Sequence, residues 1–130
     1  ITLILRYCVW LVPLALIWGG CAKKEPTAAQ KADAAAVFEE GIASVYSDNL
    51  AGKPTASGES YDPKKATCAH RTLPLGTVVE VERITNGRRI KCKINDRGPF
   101  SDERIIDLSR TVADALQVQG ISKVKLRKVN

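Results

Sequence analysis

The chain has 130 residues, one domain's worth with room for a single modest core. It carries 20 Lys and Arg against 14 Asp and Glu, a formal charge of +6 at pH 7, which suits an anionic polymer or surface as partner. Aromatic residues make up only 5% of it, too few to interleave with the basic side chains as base-stacking platforms, and this argues against nucleic acid.

Residues 1–17 are almost wholly apolar, interrupted only by Thr2, Arg6, Tyr7, Cys8 and Pro13, and Trp18-Gly19-Gly20-Cys21 follows. An apolar run that ends in small residues before the chain turns polar reads as a secretory signal, and its length fits an h-region better than a full membrane span. Two glycines before Cys21, then Ala22 and a polar stretch, resemble the lipobox at which bacterial prolipoproteins are cleaved and acylated, with Trp18 where that motif usually has Leu. The expectation is a signal peptide with lipobox over residues 1–20, lipid on Cys21, and a chain anchored in the cell envelope at the periplasmic face of the outer membrane. Ala22 in place of the Asp associated with inner-membrane retention is the reason for that face. A plain N-terminal membrane anchor or an ordinary secreted protein is the alternative.

Cys8 leaves with the signal and Cys21 takes the lipid, so Cys68 and Cys92 remain in an oxidising compartment. They form either a disulfide or two buried thiols. Cys68 lies two residues before His70 and Cys92 four before Asp96, so in extended chain each shares a face with the polar residue that follows it. A bridge would therefore tie together the strands presenting His70 and Asp96.

Ala22 to about Glu40 is rich in Ala, Lys, Glu and Gln and reads as a tether over residues 21–40, with the folded domain over residues 41–130. Gly41 to Tyr46 alternates weakly and is the first expected strand. Ser47 to Asp62 is a polar loop, long enough to be functional. Ala66 to Arg71 is an extended lead into a turn, and Thr77 to Ile84 is a β-branched, alternating strand. Thr85-Asn86-Gly87-Arg88 is a hairpin signal. The return strand, Arg89 to Ile94, alternates basic and apolar residues and leads into Asn95-Asp96-Arg97-Gly98-Pro99-Phe100. Stepping back in twos from Asp96 gives Ile94, Cys92 and Ile90, so the carboxylate continues the inward row while Lys91, Lys93, Asn95 and Arg97 take the other face. An acid placed where such a row runs out is partly desolvated yet open to a cleft, a setting in which it can hold a proton. The alternative is an Asx-type cap on the Arg97-Gly98-Pro99 turn. Arg104 to Leu108 is a short strand, Ser109 caps a helix from Arg110 to about Val118 with Gly120 past its end, and Ser122 to Val129 is a last strand. Five or six short strands around one small helix predict a compact, mostly β barrel.

Five motifs carry a more specific resemblance, in this order: Gly41-x-Ala43-Ser44-x-Tyr46, Thr55-Ala56-Ser57-Gly58-Glu59-x-Tyr61, Ala69 to Thr77, Asn95 to Phe100, and Arg104-Ile105-Ile106-Asp107-Leu108-Ser109. Together they resemble the rare lipoprotein A family of septal-ring lytic transglycosylases. The resemblance implies a six-stranded double-psi β-barrel, related to that of expansins, over Gly41 to Val129. Cys68 stands where the family usually has Ala, and the SPOR repeat that many members carry is not among these residues.

What the resemblance implies about chemistry is cleavage of the β-1,4 MurNAc–GlcNAc linkage of peptidoglycan glycan strands to leave 1,6-anhydroMurNAc ends, with no cofactor, and with division-site proteins as further partners. It puts the catalytic positions on Glu59, His70 and Asp96, and makes Asp107 a substrate contact. Tyr46, Thr55 and Ser57 would line the groove. Lytic cleavage needs an acid to protonate the leaving glycosidic oxygen, and Asp96 is the candidate. Pairing with its neighbour Arg97 would oppose that role, and strand alternation turns Arg97 away. Each of the others has a structural alternative: an exposed loop glutamate for Glu59, a satisfied buried imidazole for His70, and a helix-start carboxylate for Asp107. A single histidine gives no metal-ligand spacing. Two further functions remain open: a non-catalytic, expansin-like holder of wall polysaccharide, and a hydrolase using Asp96 and Asp107 as an inverting pair.

Overall fold

A computed structural model describes Gly20 and residues 36–129. The expected signal, the lipidation site Cys21 and most of the tether lie outside the described residues. The elements are β1 (Val37–Val45), β2 (Thr67–His70), β3 (Val78–Arg83), β4 (Arg89–Asp96), β5 (Arg104–Leu108), α1 (Arg110–Leu116) and β6 (Ile121–Lys128). The strands close into a barrel in the order β1-β5-β2-β4-β3-β6. Most neighbours are antiparallel, but β1–β5 and β2–β4 run parallel. The expected mostly β, six-stranded double-psi barrel with one short helix is borne out.

Alternation explains the core. Val79 and Val81 of β3, Cys92 and Ile94 of β4, Ile106 and Leu108 of β5, and Val124 and Leu126 of β6 are buried together, the period-2 pattern of strands with one face inward. Val112, Ala113 and Leu116 of α1 add to the same core. Cys68 and Cys92 are disulfide-bonded with Cα atoms 6.1 Å apart, joining β2 to β4 inside the barrel.

Three boundaries differ from expectation. β1 begins at Val37, so Val37 to Glu40, assigned to the tether with the Ala-, Lys- and Glu-rich stretch before them, pair with β6 from Val37↔Arg127 onward. The helix stops at Leu116, because Gln117 takes the left-handed C-cap conformation at φ 57° that Gly120 was expected to supply further on. Within β4 the alternation breaks at Asn95, which is buried although expected to face outward. The β2–β4 register steps from Cys68↔Ile94 to Ala69↔Asp96, leaving an extra residue on β4, and a bulge of this kind re-aims the side chains after it.

Candidate active site

Asp96 is the last residue of β4 and sits half-buried where the barrel opens. Its carboxylate accepts three hydrogen bonds: Oδ1 from the backbone N–H of Ala56 at 2.9 Å and of Arg97 at 2.8 Å, and Oδ2 from the Tyr46 hydroxyl at 2.7 Å. The Arg97 amide is the next residue's own N–H, one residue short of the Gly98 amide that an Asx turn would use. The Ala56 amide comes from a loop 40 residues earlier in the chain, which also docks its Ser57 N–H on the Asn95 carbonyl at 3.1 Å. Arg97 does turn away: its guanidinium donates to the carbonyls of His70 at 3.2 Å and Leu73 at 2.5 Å.

Tyr46 lies one residue past β1, its ring packed on buried Tyr61 with centroids 4.7 Å apart. Burial, then the hydrogen bond and charge of Asp96, push its phenol far above the ordinary value. It therefore stays protonated and available as a donor.

Asp107 faces the same opening. The parallel register Ser44↔Asp107 sets Ser44 beside it, and the Ser44 hydroxyl donates to Asp107 Oδ1. Arg104 Nη1 donates to Ser44 Oγ at 2.7 Å and lies 3.6 Å from Asp107 Oδ1. The helix-start alternative for Asp107 is not what is seen. Ser109 caps α1 through Val112 N–H, and the Asp107 carboxylate engages Ser44 and Arg104. Asp96, Tyr46, Asp107, Arg97, Arg104 and Phe100, with Val45, Ser47 and Leu50, line one pocket of about 430 Å³, a size suited to a small-molecule or saccharide subsite.

The other predicted residues stand apart from that pocket. His70 is 5% exposed. Its Nδ1 accepts from the amides of Thr72 at 3.2 Å and Leu73 at 3.1 Å. The ring proton therefore belongs on Nε2, which meets Glu39 Oε2 at 2.6 Å. The imidazole thus engages Glu39 and the 72–73 turn and makes no hydrogen bond to Asp96. Glu59 pairs with Lys93 at 3.1 Å, the two side chains 45% and 48% exposed. Thr55 and Ser57 bond to each other at 2.9 Å and to the Glu59 backbone, through the Glu59 carbonyl and amide respectively. They shape the loop that delivers the Ala56 amide, where groove lining was expected. Among the described residues no group of His, Cys, Asp and Glu is arranged to hold a metal ion.

This fold and site meet a known pattern. A family model described as lytic transglycolase matches residues 38–127. The chain belongs to the lytic transglycolase family. This lytic transglycolase domain is 45% identical over 96 residues to the probable endolytic peptidoglycan transglycosylase RlpA of Treponema pallidum, covering 72% of the chain and 30% of the relative. It is 46% identical over 90 residues to the endolytic peptidoglycan transglycosylase RlpA of Yersinia pestis, covering 69% of the chain and 25% of the relative. The chain thus spans under a third of the length of either relative. Among solved structures, an apo expansin of Clavibacter michiganensis superposes with a TM-score of 0.57 at 18% identity, over 70% of the chain and 50% of the expansin, a likeness of fold.

Sequence reasoning missed several residues of this cluster and its supports. Ser44 and Arg104 were visible only as motif letters, since their joint hold on Asp107 depends on β1 and β5 pairing in parallel. Glu39 was hidden by its place in the presumed tether. Tyr61 was legible as an aromatic in the loop motif, but its support of Tyr46, and of Arg110 N–H through its hydroxyl at 3.2 Å, is tertiary.

Proposed function

We propose that this chain is a lytic transglycosylase that cuts the β-1,4 MurNAc–GlcNAc linkage of peptidoglycan glycan strands and leaves 1,6-anhydroMurNAc ends, with Asp96 as its acid and base. The family membership and the named activity of the relatives support the reaction class. The observation that carries the residue assignment is the asymmetric hold on Asp96. Oδ1 is tied by two amides, while Oδ2 carries only the Tyr46 hydroxyl at the pocket.

In the proposed cycle, protonated Asp96 gives its Oδ2 proton to the leaving glycosidic oxygen as the bond to the anomeric carbon breaks. The sugar's own 6-hydroxyl then attacks that carbon and returns its proton to Asp96, so no water is consumed and the carboxyl ends as it began. A hydroxyl can both donate and accept, so Tyr46 serves either state of Oδ2: it donates to the carboxylate and accepts from the acid. Asp107, kept in place by Ser44 and Arg104, is assigned to sugar hydroxyls and to the positive charge that grows at the anomeric centre. His70 is assigned a positioning role through the 70–73 turn that holds Arg97 off Asp96, and Glu59 a glycan contact on the loop beside it.

We also infer a signal over residues 1–20, lipid on Cys21 and a residence in the cell envelope at the outer membrane, which the apolar run and the Gly-Gly-Cys junction support, and, by family resemblance alone, division-site proteins as partners.

The test is to digest purified peptidoglycan, intact and stripped of peptides, and to identify the new ends by mass spectrometry. Anhydro ends that disappear with Asp96→Asn are expected. Reducing ends would replace the lytic reading with hydrolysis by the Asp96 and Asp107 pair. Retention of protein on the wall without products would leave the expansin-like holder.

A further inference from the structure

Phe100 is 93% exposed, against 65% for Ile121 and about 40% for Val37, Phe38 and Leu75. Exposure of one apolar side chain means little by itself; its place and its support mean more. The ring stands on the lip of the pocket that contains Asp96, Tyr46 and Asp107. A Cβ built on Gly98 would lie 3.7 Å from Phe100 Cε2 and 3.5 Å from Asp107 Oδ2. Phe100 and Asp107 therefore flank the same stretch of backbone, which Gly98 leaves bare, in a conformation (φ 132°) that favours glycine.

The loop carrying Phe100 is clamped from below. Arg71 spends its guanidinium on the carbonyls of Pro99 at 2.9 Å, of Ser101, and of Arg104 at 2.7 Å. Three carbonyls around one planar cation fix the loop on both sides of the ring, so the aromatic face is presented with little ordering left to do on binding. The residues that follow it, Ser101, Asp102 and Glu103, are polar, the setting of a ring that meets a hydroxyl-rich ligand.

We propose that Phe100 is a saccharide-stacking platform. Its face takes the C–H face of a pyranose ring adjacent to the scissile linkage, while the pocket's carboxylates and the Arg104 guanidinium bond the ring's hydroxyls. The pairing suits the chemistry on each side: an aromatic face is electron-rich, a pyranose presents axial C–H bonds on its faces and hydroxyls around its edge, and the pocket supplies polar groups at that edge. This subsite rests on the peptidoglycan reading and names where the strand is gripped.

The test uses the full chain and soluble, peptide-free glycan oligosaccharides released from peptidoglycan. Affinity is measured by calorimetry and by NMR, and KM and kcat on the polymer. Phe100→Ala is expected to weaken binding about tenfold, the scale of a single aromatic contact, and to raise KM with kcat nearly unchanged. Phe100→Trp should restore binding, and sugar C–H protons should move upfield on binding only where a ring is present. Equal affinity of wild type and Phe100→Ala would overturn the platform, as would full rescue by Phe100→Leu or a dimer that dissociates in the alanine variant. Unchanged affinity in Arg71→Met would remove the clamp from the account. If wild type binds through Phe100 but releases no anhydro ends, the platform stands and the lytic reading falls; if cleavage proceeds and Phe100→Ala is silent, the reverse holds.

Discussion

The hydroxyl of Tyr46 reaches Asp96 Oδ2 across 2.7 Å, joining the end of β1 to the end of β4 at the mouth of the barrel. In Tyr46→Phe the ring still packs on Tyr61, so folding is largely retained, but the proposed acid loses the side-chain partner of its Oδ2. We expect kcat to fall by about ten- to a hundredfold, within the range of one acid–base assist, with a much smaller change in KM. Steady-state release of anhydro ends checks this, and a variant as fast as wild type would show the hydroxyl to be dispensable.

Alkaline stability follows from the same residue. Burial, then the contact with Asp96, raises the Tyr46 phenol, and burial raises Tyr61 against the opposing Arg110 amide. An unfolded tyrosine loses its proton near about pH 10. Above that point the unfolded chain binds fewer protons than the folded one, so the stability these phenols contribute is complete below about pH 10 and is lost as pH rises further. Tyrosinate absorbance from Tyr46 should therefore appear only together with loss of the far-UV signal, and that from Tyr61 should be displaced upward from its ordinary range. Ordinary titration in a still-folded protein would contradict it.

His70 acts, in this structure, on backbone. His70→Ala strands the Thr72 and Leu73 amides and frees the turn whose carbonyls hold Arg97, whereas Glu39→Gln keeps an acceptor for Nε2–H. The alanine variant is expected to cost about 2–3 kcal/mol in urea unfolding, the scale of buried donors left unmade, and the glutamine variant about 1 kcal/mol or less. In kcat, His70→Ala and Arg97→Gln should be strongly non-additive, because the damage runs through the freed guanidinium. Additive losses would point to a direct role for the imidazole.

The Cys68–Cys92 bridge closes a sequence separation of 24 residues. Loop-closure entropy for that length corresponds to about 3 kcal/mol. Cys68→Ala/Cys92→Ala should lower the stability measured by denaturant by about that amount, and added reductant should have no further effect on the double variant.

Glu59 and Lys93 form a half-exposed pair, and such pairs contribute about 0–1 kcal/mol. Glu59→Gln should therefore leave Tm nearly unchanged, so any loss of cleavage in that variant reports on contact with the glycan alone. Loss of fold would show that the loop depends on the pair.

Much of the barrel was legible because strands with one buried face announce themselves by alternation. Val79 and Val81, Cys92 and Ile94, and the Asn86-Gly87 turn between them predicted β3, β4 and their hairpin without reference to any other element. Ser109 likewise marked the start of α1, since a cap is a local hydrogen bond. Asp96 was found by the same rule, as the polar residue that follows an apolar row. Alternation states which face is buried, however, and says nothing of which strand lies alongside. The first strand's early start was hidden because Glu39 and Glu40 look solvated until β6 and His70 supply their partners. The burial of Asn95 goes with a bulge in the parallel pairing of β2 with β4. Ser44, Arg104 and Asp107 become one group only when β1 lies parallel to β5, and the Ala56 amide reaches Asp96 across 40 residues of chain. Local pattern could single out Asp96; barrel closure, which brings distant segments into register, decided what holds it.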